Sequence, residues 1–155
     1  MILAAALVTA LAAGSLVGAA RAHIDDNAPT CGNFATGDFF DADTLRALFD
    51  VDTMIDAWPG QCKRIAMYQD TGFWWCNDNP TEFAWATGTE ALDALDTLLD
   101  SCCLNSAQGS TGAISGQLFS QGDQTNFILA YTDSTYGPDV PPDQYPQGLT
   151  HGQCV

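Results

Sequence analysis

The clearest pattern of apolar and polar positions lies between residues 87 and 102. Apolar side chains recur there at the spacing of one helical face, namely Leu92, Leu95, Leu99 and Cys102. Aspartates fall on the opposite face, namely Asp93, Asp96 and Asp100. Thr87 followed three residues later by Glu90 has the form of a capping box, which satisfies backbone N–H groups at a helix start. The pattern predicts an amphipathic helix whose inner face brings Cys102 to the core.

Two other stretches have the pattern of strands joined by tight turns. Residues 63–68 predict one strand, residues 69–72 a turn, and the aromatic run at residues 73–76 the returning strand. Large aromatic side chains bury area well across paired strands. A second hairpin is expected over residues 113–119 and 126–131, with its turn around residues 121–123.

Weaker signals precede the first hairpin. Residues 23–40 show little periodicity and predict a loose arm pinned by Cys31. Asp41 is expected to cap a short helix over residues 42–49, with these side chains inward: Leu45, Leu48 and Phe49. Another helical turn or two is expected to follow, with one apolar side formed by Met54, Ile55 and Trp58. Pro59 and Gly60 would end it.

The order helix, hairpin, helix, hairpin predicts an α+β fold. We expect an antiparallel sheet of about four strands, formed by the two hairpins, with two helices packed on one face. Residues 132–155 are rich in proline and predict an irregular C-terminal tail that Cys154 tethers. Residues 23–131 are then a single domain with an N-terminal arm.

The first 22 residues have the pattern of a secretory signal peptide. They contain an apolar run, no acidic residue, and an end at Ala20-Arg21-Ala22 that fits the small-x-small rule for cleavage. No later stretch is apolar and long enough to span a bilayer. The sequence therefore predicts a secreted, extracellular and monomeric protein without a membrane span.

Charge narrows the choice of partner. The chain has 19 acidic residues against four lysines and arginines, which gives a formal net charge of −15. Phosphate backbones would repel such a chain, so nucleic acid is excluded as a partner. We expect the acidity to serve solubility.

Six cysteines are present, at positions Cys31, Cys62, Cys76, Cys102, Cys103 and Cys154. An even count in a small exported chain predicts three disulfides. Spacing alone leaves all fifteen possible pairings open.

The layout resembles that of a known family. Cys31-Gly32-Asn33-Phe34 precedes a short helix, a hairpin ends in Trp75-Cys76, and a helix led by Gly88 is followed by the strand 115–119. This order is similar to that of the necrosis-inducing extracellular effectors of plant-pathogenic fungi and of the killer toxins of smut fungi, which share an α/β sandwich. The resemblance covers roughly residues 31–131. It implies a secreted fungal virulence or toxin-like protein that acts on a host or competitor without known catalytic residues.

Few residues offer chemistry of their own. We predict no catalytic residue, no metal site and no cofactor. Trp74 and Trp75 face opposite ways along a strand, so we expect only one in the core; the other packs under a helix or forms an exposed binding surface. An exposed tryptophan would suit a protein that binds carbohydrate or cell walls. A third possibility is a copper protein, because cleavage after Ala22 would place His23 at the N-terminus, with His151 the only other histidine.

Overall fold

The computed structural model of the chain describes residues 28–102, 112–120 and 124–145, and the backbone of residues 20–21. The strands, in chain order, are β1 (Ala20–Arg21), β2 (Thr30–Cys31), β3 (Gly37–Asp38), β4 (Met54–Ala57), β5 (Cys62–Tyr68), β6 (Thr71–Asn77), β7 (Ala84–Thr87), β8 (Ala113–Ile114), β9 (Gly116–Phe119) and β10 (Thr125–Tyr131). The helices are α1 (Phe39–Leu48) and α2 (Gly88–Cys102), and one turn of 3-10 helix spans Pro142–Gln144. The α+β prediction is confirmed.

The main sheet has five antiparallel strands in the order β2-β9-β10-β6-β5, so the prediction of about four strands is wrong. Both predicted hairpins are present, as β5–β6 and β9–β10. The fifth strand comes from the predicted arm, where Thr30 lies opposite Gln117 on the edge of β9. Two smaller sheets have the orders β1-β7-β4 and β3-β8. The turn at residues 121–123 lies outside the described residues.

Helix α2 follows the sequence prediction closely. Glu90 and Thr87 cap its start reciprocally: the Thr87 backbone N–H donates to Glu90 Oε2 at 2.8 Å, and the Glu90 N–H donates to Thr87 Oγ1 at 3.2 Å. The predicted inner face is largely buried, with Leu95, Leu99 and Cys102 in the core. The capping residues are neighbours in the chain, so their pattern is readable without the tertiary structure.

Helix α1 begins earlier than predicted, because Asp38 caps it and Asp41 does not. Asp38 Oδ1 accepts hydrogen bonds from the backbone N–H groups of Phe40, at 2.7 Å, and Asp41, at 3.3 Å. This start sets which side chains face inward. Leu45 is buried as expected, but Leu48 is exposed.

The helical turn predicted around residues 54–58 is wrong; the chain forms strand β4 there. Met54–Ala57 pairs with β7, and its side chains alternate between solvent and core. Ile55 and Ala57 are buried, whereas Met54 is 62% exposed and Trp58 is 66% exposed. An alternation of period two is that of a half-buried strand, and it turns Trp58 away from the core.

Strand β6 is buried on both faces, which explains its unbroken apolar run. On the inner face, Trp75 packs against Phe127 with ring centroids 4.6 Å apart, beneath the helices. On the outer face, Trp74 packs edge-on against Tyr145 at 5.9 Å. The expectation that only one of the two tryptophans can be core is therefore wrong. The C-terminal segment (residues 132–145) covers the outer face of β6.

Two disulfides join described residues. Cys31 bonds to Cys102 and ties β2 to the end of α2, as the inward face of Cys102 predicted. Cys62 bonds to Cys76 across the β5–β6 pair. Closing the 71-residue separation of the first bond contributes about 4 kcal/mol in the loop-entropy account. Cys103 and Cys154 lie outside the described residues.

Candidate functional site

A cleft of about 620 Å³ lies on the outer face of the main sheet. We call it the outer cleft. It opens between the ends of β6 and β10, the turn before β5, and the C-terminal segment. Its lining residues are Phe34, Pro59, Gly60, Gln61, Cys62, Cys76, Asp78, Gln117, Asn126, Ile128, Asp139, Pro141, Pro142, Asp143 and Gln144. A volume of this size suits a small-molecule or oligomer site.

A chain of hydrogen bonds runs along the floor of the outer cleft. Asn33 Nδ2 donates to Gln117 Oε1 at 2.9 Å, and Gln117 Nε2 donates to Asn126 Oδ1 at 3.1 Å. Asn126 Nδ2 in turn donates to Asp78 Oδ2 at 2.6 Å. Asn126 is buried, so it fixes the side chains of Gln117 and Asp78 in place from below. The polar groups are thereby oriented before any ligand arrives.

The electrostatics of the outer cleft are acidic. Asp78, Asp139 and Asp143 line it, and none of the described lining residues is a lysine or arginine. The cleft walls displace water from the Asp78 carboxyl, and this desolvation raises its pKa above the ordinary value. The hydrogen bond from Asn126 acts in the opposite direction and is the smaller effect.

One wall of the cleft is a tight turn that begins at Trp58. The Trp58 N–H donates to Gln61 Oε1 at 3.0 Å, and the Gln61 N–H donates back to the Trp58 carbonyl at 3.0 Å. Gly60 has a φ of +68°, a conformation that glycine adopts without strain. The Gly60 N–H also donates to the Asn79 carbonyl at 3.1 Å. These bonds hold the turn, and with it the backbone of Trp58, in a fixed conformation.

The indole of Trp58 is two-thirds exposed, at 66%. It meets the ring of Phe83 edge-on, with centroids 5.6 Å apart and an angle of 74° between the ring planes. Edge-to-face contact is a favoured geometry for aromatic pairs and restrains the indole. A large apolar ring is thus held at the surface, one residue from Pro59 in the cleft wall.

The opposite wall belongs to the C-terminal segment, which Arg64 holds in place. The guanidinium donates to the Tyr136 carbonyl at 3.1 Å, to the Tyr145 hydroxyl at 3.1 Å and to the Thr132 hydroxyl. The backbone N–H of Arg64 donates to the Pro138 carbonyl at 2.6 Å. Because these partners flank Asp139 and Asp143, Arg64 positions the wall without lining the cleft.

A second depression lies on the other side of β5, beside α1. It has a volume of about 300 Å³ and is mostly apolar, with Leu45, Leu48, Phe49, Ile65 and Met67 among its lining residues. Leu48 is 69% exposed at its edge. Asp50 is the acidic residue in its lining.

The structure removes Trp74 and Trp75 from the candidate binding surface. Both side chains are 0% exposed, so neither indole can stack on a ligand. His23, His151, Cys103 and Cys154 lie outside the described residues, and the copper hypothesis remains a prediction. The described part of the chain holds no group of three or more histidine, cysteine, aspartate or glutamate side chains arranged for a metal ion.

Sequence reasoning missed the outer cleft and assigned Trp58 to an inward helical face. A signal for Trp58 was present: apolar Ile55 and Ala57 alternate with Asp56, as in a half-buried strand. That alternation, read as a strand, predicts that Trp58 points outward. The cleft itself has no local signal, because distant segments form it.

Comparison with known proteins adds no relative. No protein-family model matches this chain, and no curated protein matches it. Neither described helix has the length and apolar character needed to cross a membrane. The functional conclusion therefore depends on the site itself.

Proposed function

We propose that this protein is a secreted effector- or toxin-like protein that acts by binding a host or competitor target and not by catalysis. The observation that carries the proposal is the outer cleft, whose polar floor is already hydrogen-bonded and whose turn wall directly follows the exposed Trp58 in the chain. Export through the signal-peptide pattern of residues 1–22 is part of the same proposal. The two disulfides in the described residues are compatible with an extracellular location.

Preorganisation is what suits the cleft to binding. A ligand that meets fixed side chains does not have to order them, so less binding free energy is lost. Disulfide Cys62–Cys76 lies in the cleft lining and ties the turn wall to the sheet. Arg64 ties the other wall to the same sheet. The site is therefore a rigid receptor on a small scaffold.

The layout of the fold also supports the proposal. Both helices pack on one face of the antiparallel sheet. The order of the helices and strands along the chain resembles that of the effectors and killer toxins. The strong negative charge favours a neutral or cationic target and disfavours nucleic acid.

Biological activity is the direct test. Purified, oxidised protein should cause cell death when infiltrated into plant leaves, or growth arrest when added to competing fungi, at micromolar dose. Protein that has been reduced and alkylated serves as the control, since it lacks both disulfides and should be inactive. Oxidised protein that is inert in both assays would contradict the proposal.

A cleft variant ties the activity to the site. Replacing Asp78 with Asn removes the negative charge from the cleft but keeps a side-chain oxygen that can accept from Asn126, so the fold should tolerate the change. We expect activity to fall while the unfolding temperature is retained. Full activity in Asp78→Asn would place the binding site elsewhere.

A further inference from the structure

We infer that the outer cleft and Trp58 together bind a neutral polysaccharide chain, such as one from a cell wall. The inference rests on the proposed function, because it names the class of target that the same cleft would bind. Three properties of the site support it: its charge, its hydrogen-bonding groups and its exposed aromatic ring.

Charge limits the ligand to a neutral or cationic molecule. Asp78, Asp139 and Asp143 line the cleft, and the whole chain has a net charge of −15. Acidic polysaccharides, phosphorylated ligands and nucleic acids would meet this field and be repelled. Neutral polysaccharides carry no charge and meet no such barrier.

The hydrogen-bonding groups suit hydroxyls. A sugar hydroxyl both donates and accepts, so it needs acceptors and donors side by side. The cleft offers carboxylate acceptors beside carboxamides that do both, at Gln61, Gln117 and Gln144. The bonds from Asn126 keep Asp78 and Gln117 oriented without a ligand. A site built to hydrogen-bond hydroxyls rejects analogues that lack them.

Trp58 supplies an exposed aromatic ring. The C–H face of a pyranose ring is apolar, and an exposed indole buries it by stacking. Trp58 is 66% exposed, and its ring is restrained by the edge-to-face contact with Phe83.

The arrangement points to a chain and not to a single sugar. Trp58 lies outside the cleft lining, but Pro59 and Gly60, which follow it directly, form the cleft wall. A ligand that stacks on Trp58 and reaches Asp78 must extend over the turn between them. An oligomer does this with successive sugar units, whereas a monosaccharide occupies one position only.

Binding to defined polysaccharides tests the inference. The oxidised protein is sedimented with insoluble chitin, cellulose and curdlan, and the affinity for the matching soluble hexasaccharide is measured by calorimetry. We expect binding to at least one of these polymers. Replacing Trp58 with Ala should weaken it at least about tenfold, which equals about 1.4 kcal/mol. Trp58→Phe should retain most of the affinity, because phenylalanine keeps an aromatic face.

Phe40→Ala is the matched control. Phe40 is an aromatic side chain that is 72% exposed, but it lies on α1, on the opposite side of the sheet from the outer cleft. Its loss should leave the affinity within about twofold of the wild type, because a surface substitution away from the site has an effect of about 0.5 kcal/mol or less. Thermal unfolding of each variant shows that the fold is retained.

Salt separates binding through hydroxyls and stacking from adsorption through charge. Affinity for a neutral chain should change little between about 0.05 and 0.5 M NaCl, because screening acts on charges. Binding to these polymers that disappears at the higher salt concentration would be driven by charge and would overturn the inference. Equal affinity of wild type and Trp58→Ala would overturn it as well.

The two proposals can fail separately. Wild-type protein that kills or arrests cells but binds none of the three polymers overturns the inference and leaves the proposed function standing. Protein that binds a polymer through Trp58 but is inert in both cell assays supports the inference and overturns the proposed function.

Discussion

Replacing Arg64 with Ala tests whether one side chain holds the C-terminal segment against the sheet. The guanidinium donates hydrogen bonds to Thr132, Tyr136 and Tyr145. Thr132 and Tyr145 are almost fully buried, at 0% and 1% exposure, so their hydroxyls would lose a charged donor in a poorly hydrated place. The Thr132 hydroxyl also donates to the Tyr145 hydroxyl at 3.1 Å, and this bond remains after the substitution.

The expected magnitude follows from these contacts. Hydrogen bonds to charged groups contribute about 1.5–3 kcal/mol each. Arg64 is half-buried, and water can replace it at the Tyr136 carbonyl, so the sum is discounted. We expect Arg64→Ala to lower the free energy of unfolding by about 2–4 kcal/mol. For a chain of this size that lowers the Tm by about 5–15 °C.

Urea unfolding followed by tryptophan fluorescence measures the loss, because buried Trp74 packs against Tyr145 in the held segment. With a slope near 2 kcal/mol per molar, the midpoint should fall by roughly 1–2 M urea. Lys63→Ala is the control: it removes the neighbouring cation on the same strand, and we expect a loss below about 1 kcal/mol. Arg64→Lys keeps the charge without the planar fork and should lie between the two.

A loss in Arg64→Ala no larger than that in Lys63→Ala would refute the reasoning. The C-terminal segment would then be held by its apolar contacts alone. Because the segment also forms one wall of the outer cleft, Arg64→Ala should weaken ligand binding even under conditions where the protein remains folded.

Three further results are expected. Gly116→Ala should destabilise the protein by about 1–3 kcal/mol in urea unfolding, because its Cβ would lie 2.7 Å from Cys102 Sγ; a change near zero would show that the helix can shift. The raised pKa of Asp78 means that the folded state binds this proton more tightly than the unfolded state, so its contribution to stability decreases as the pH rises through the folded pKa. Asp78→Asn should remove that part of the pH dependence, which begins near the ordinary aspartate pKa of 3.8 and extends above it, and an unchanged profile would contradict the assignment. Since four of the six cysteines are paired, non-reducing mass spectrometry should find Cys103 bonded to Cys154, and a free thiol at either would contradict the prediction of three disulfides.

The sequence alone determined the elements whose signals are local. Helix α2 was readable because Thr87 and Glu90 lie one turn apart and cap each other. The β5–β6 hairpin was readable because its strands are joined by a short turn, so the pattern and the pairing partner lie in the same stretch. Helical spacing also predicted that Cys102 faces the core, where it forms its disulfide with Cys31.

Burial on the second face of the sheet was decided by the tertiary structure. The aromatic run predicted a strand, but whether Trp74 faced solvent depended on where residues 132–145 lay. Those residues fold back and cover Trp74 with Tyr145, while Arg64 donates to carbonyls and hydroxyls in the same segment. Nothing in the local pattern of either segment specifies these contacts, because Arg64 is 72 residues from Tyr136 and 81 residues from Tyr145 in the chain.

The candidate site also has one feature that the sequence predicts and one that only tertiary packing decides. The alternation of Ile55 and Ala57 with polar Asp56 predicts a strand and an outward Trp58. The prediction of a helical turn over the same residues placed Trp58 on an apolar helical side instead. The outer cleft contains no such information, because its lining comes from separate parts of the chain, from Phe34 to Gln144. Local periodicity specifies which side of a helix or strand is apolar. Only packing specifies which polar residues come into contact, and in this protein it places Asn126 between Gln117 and Asp78.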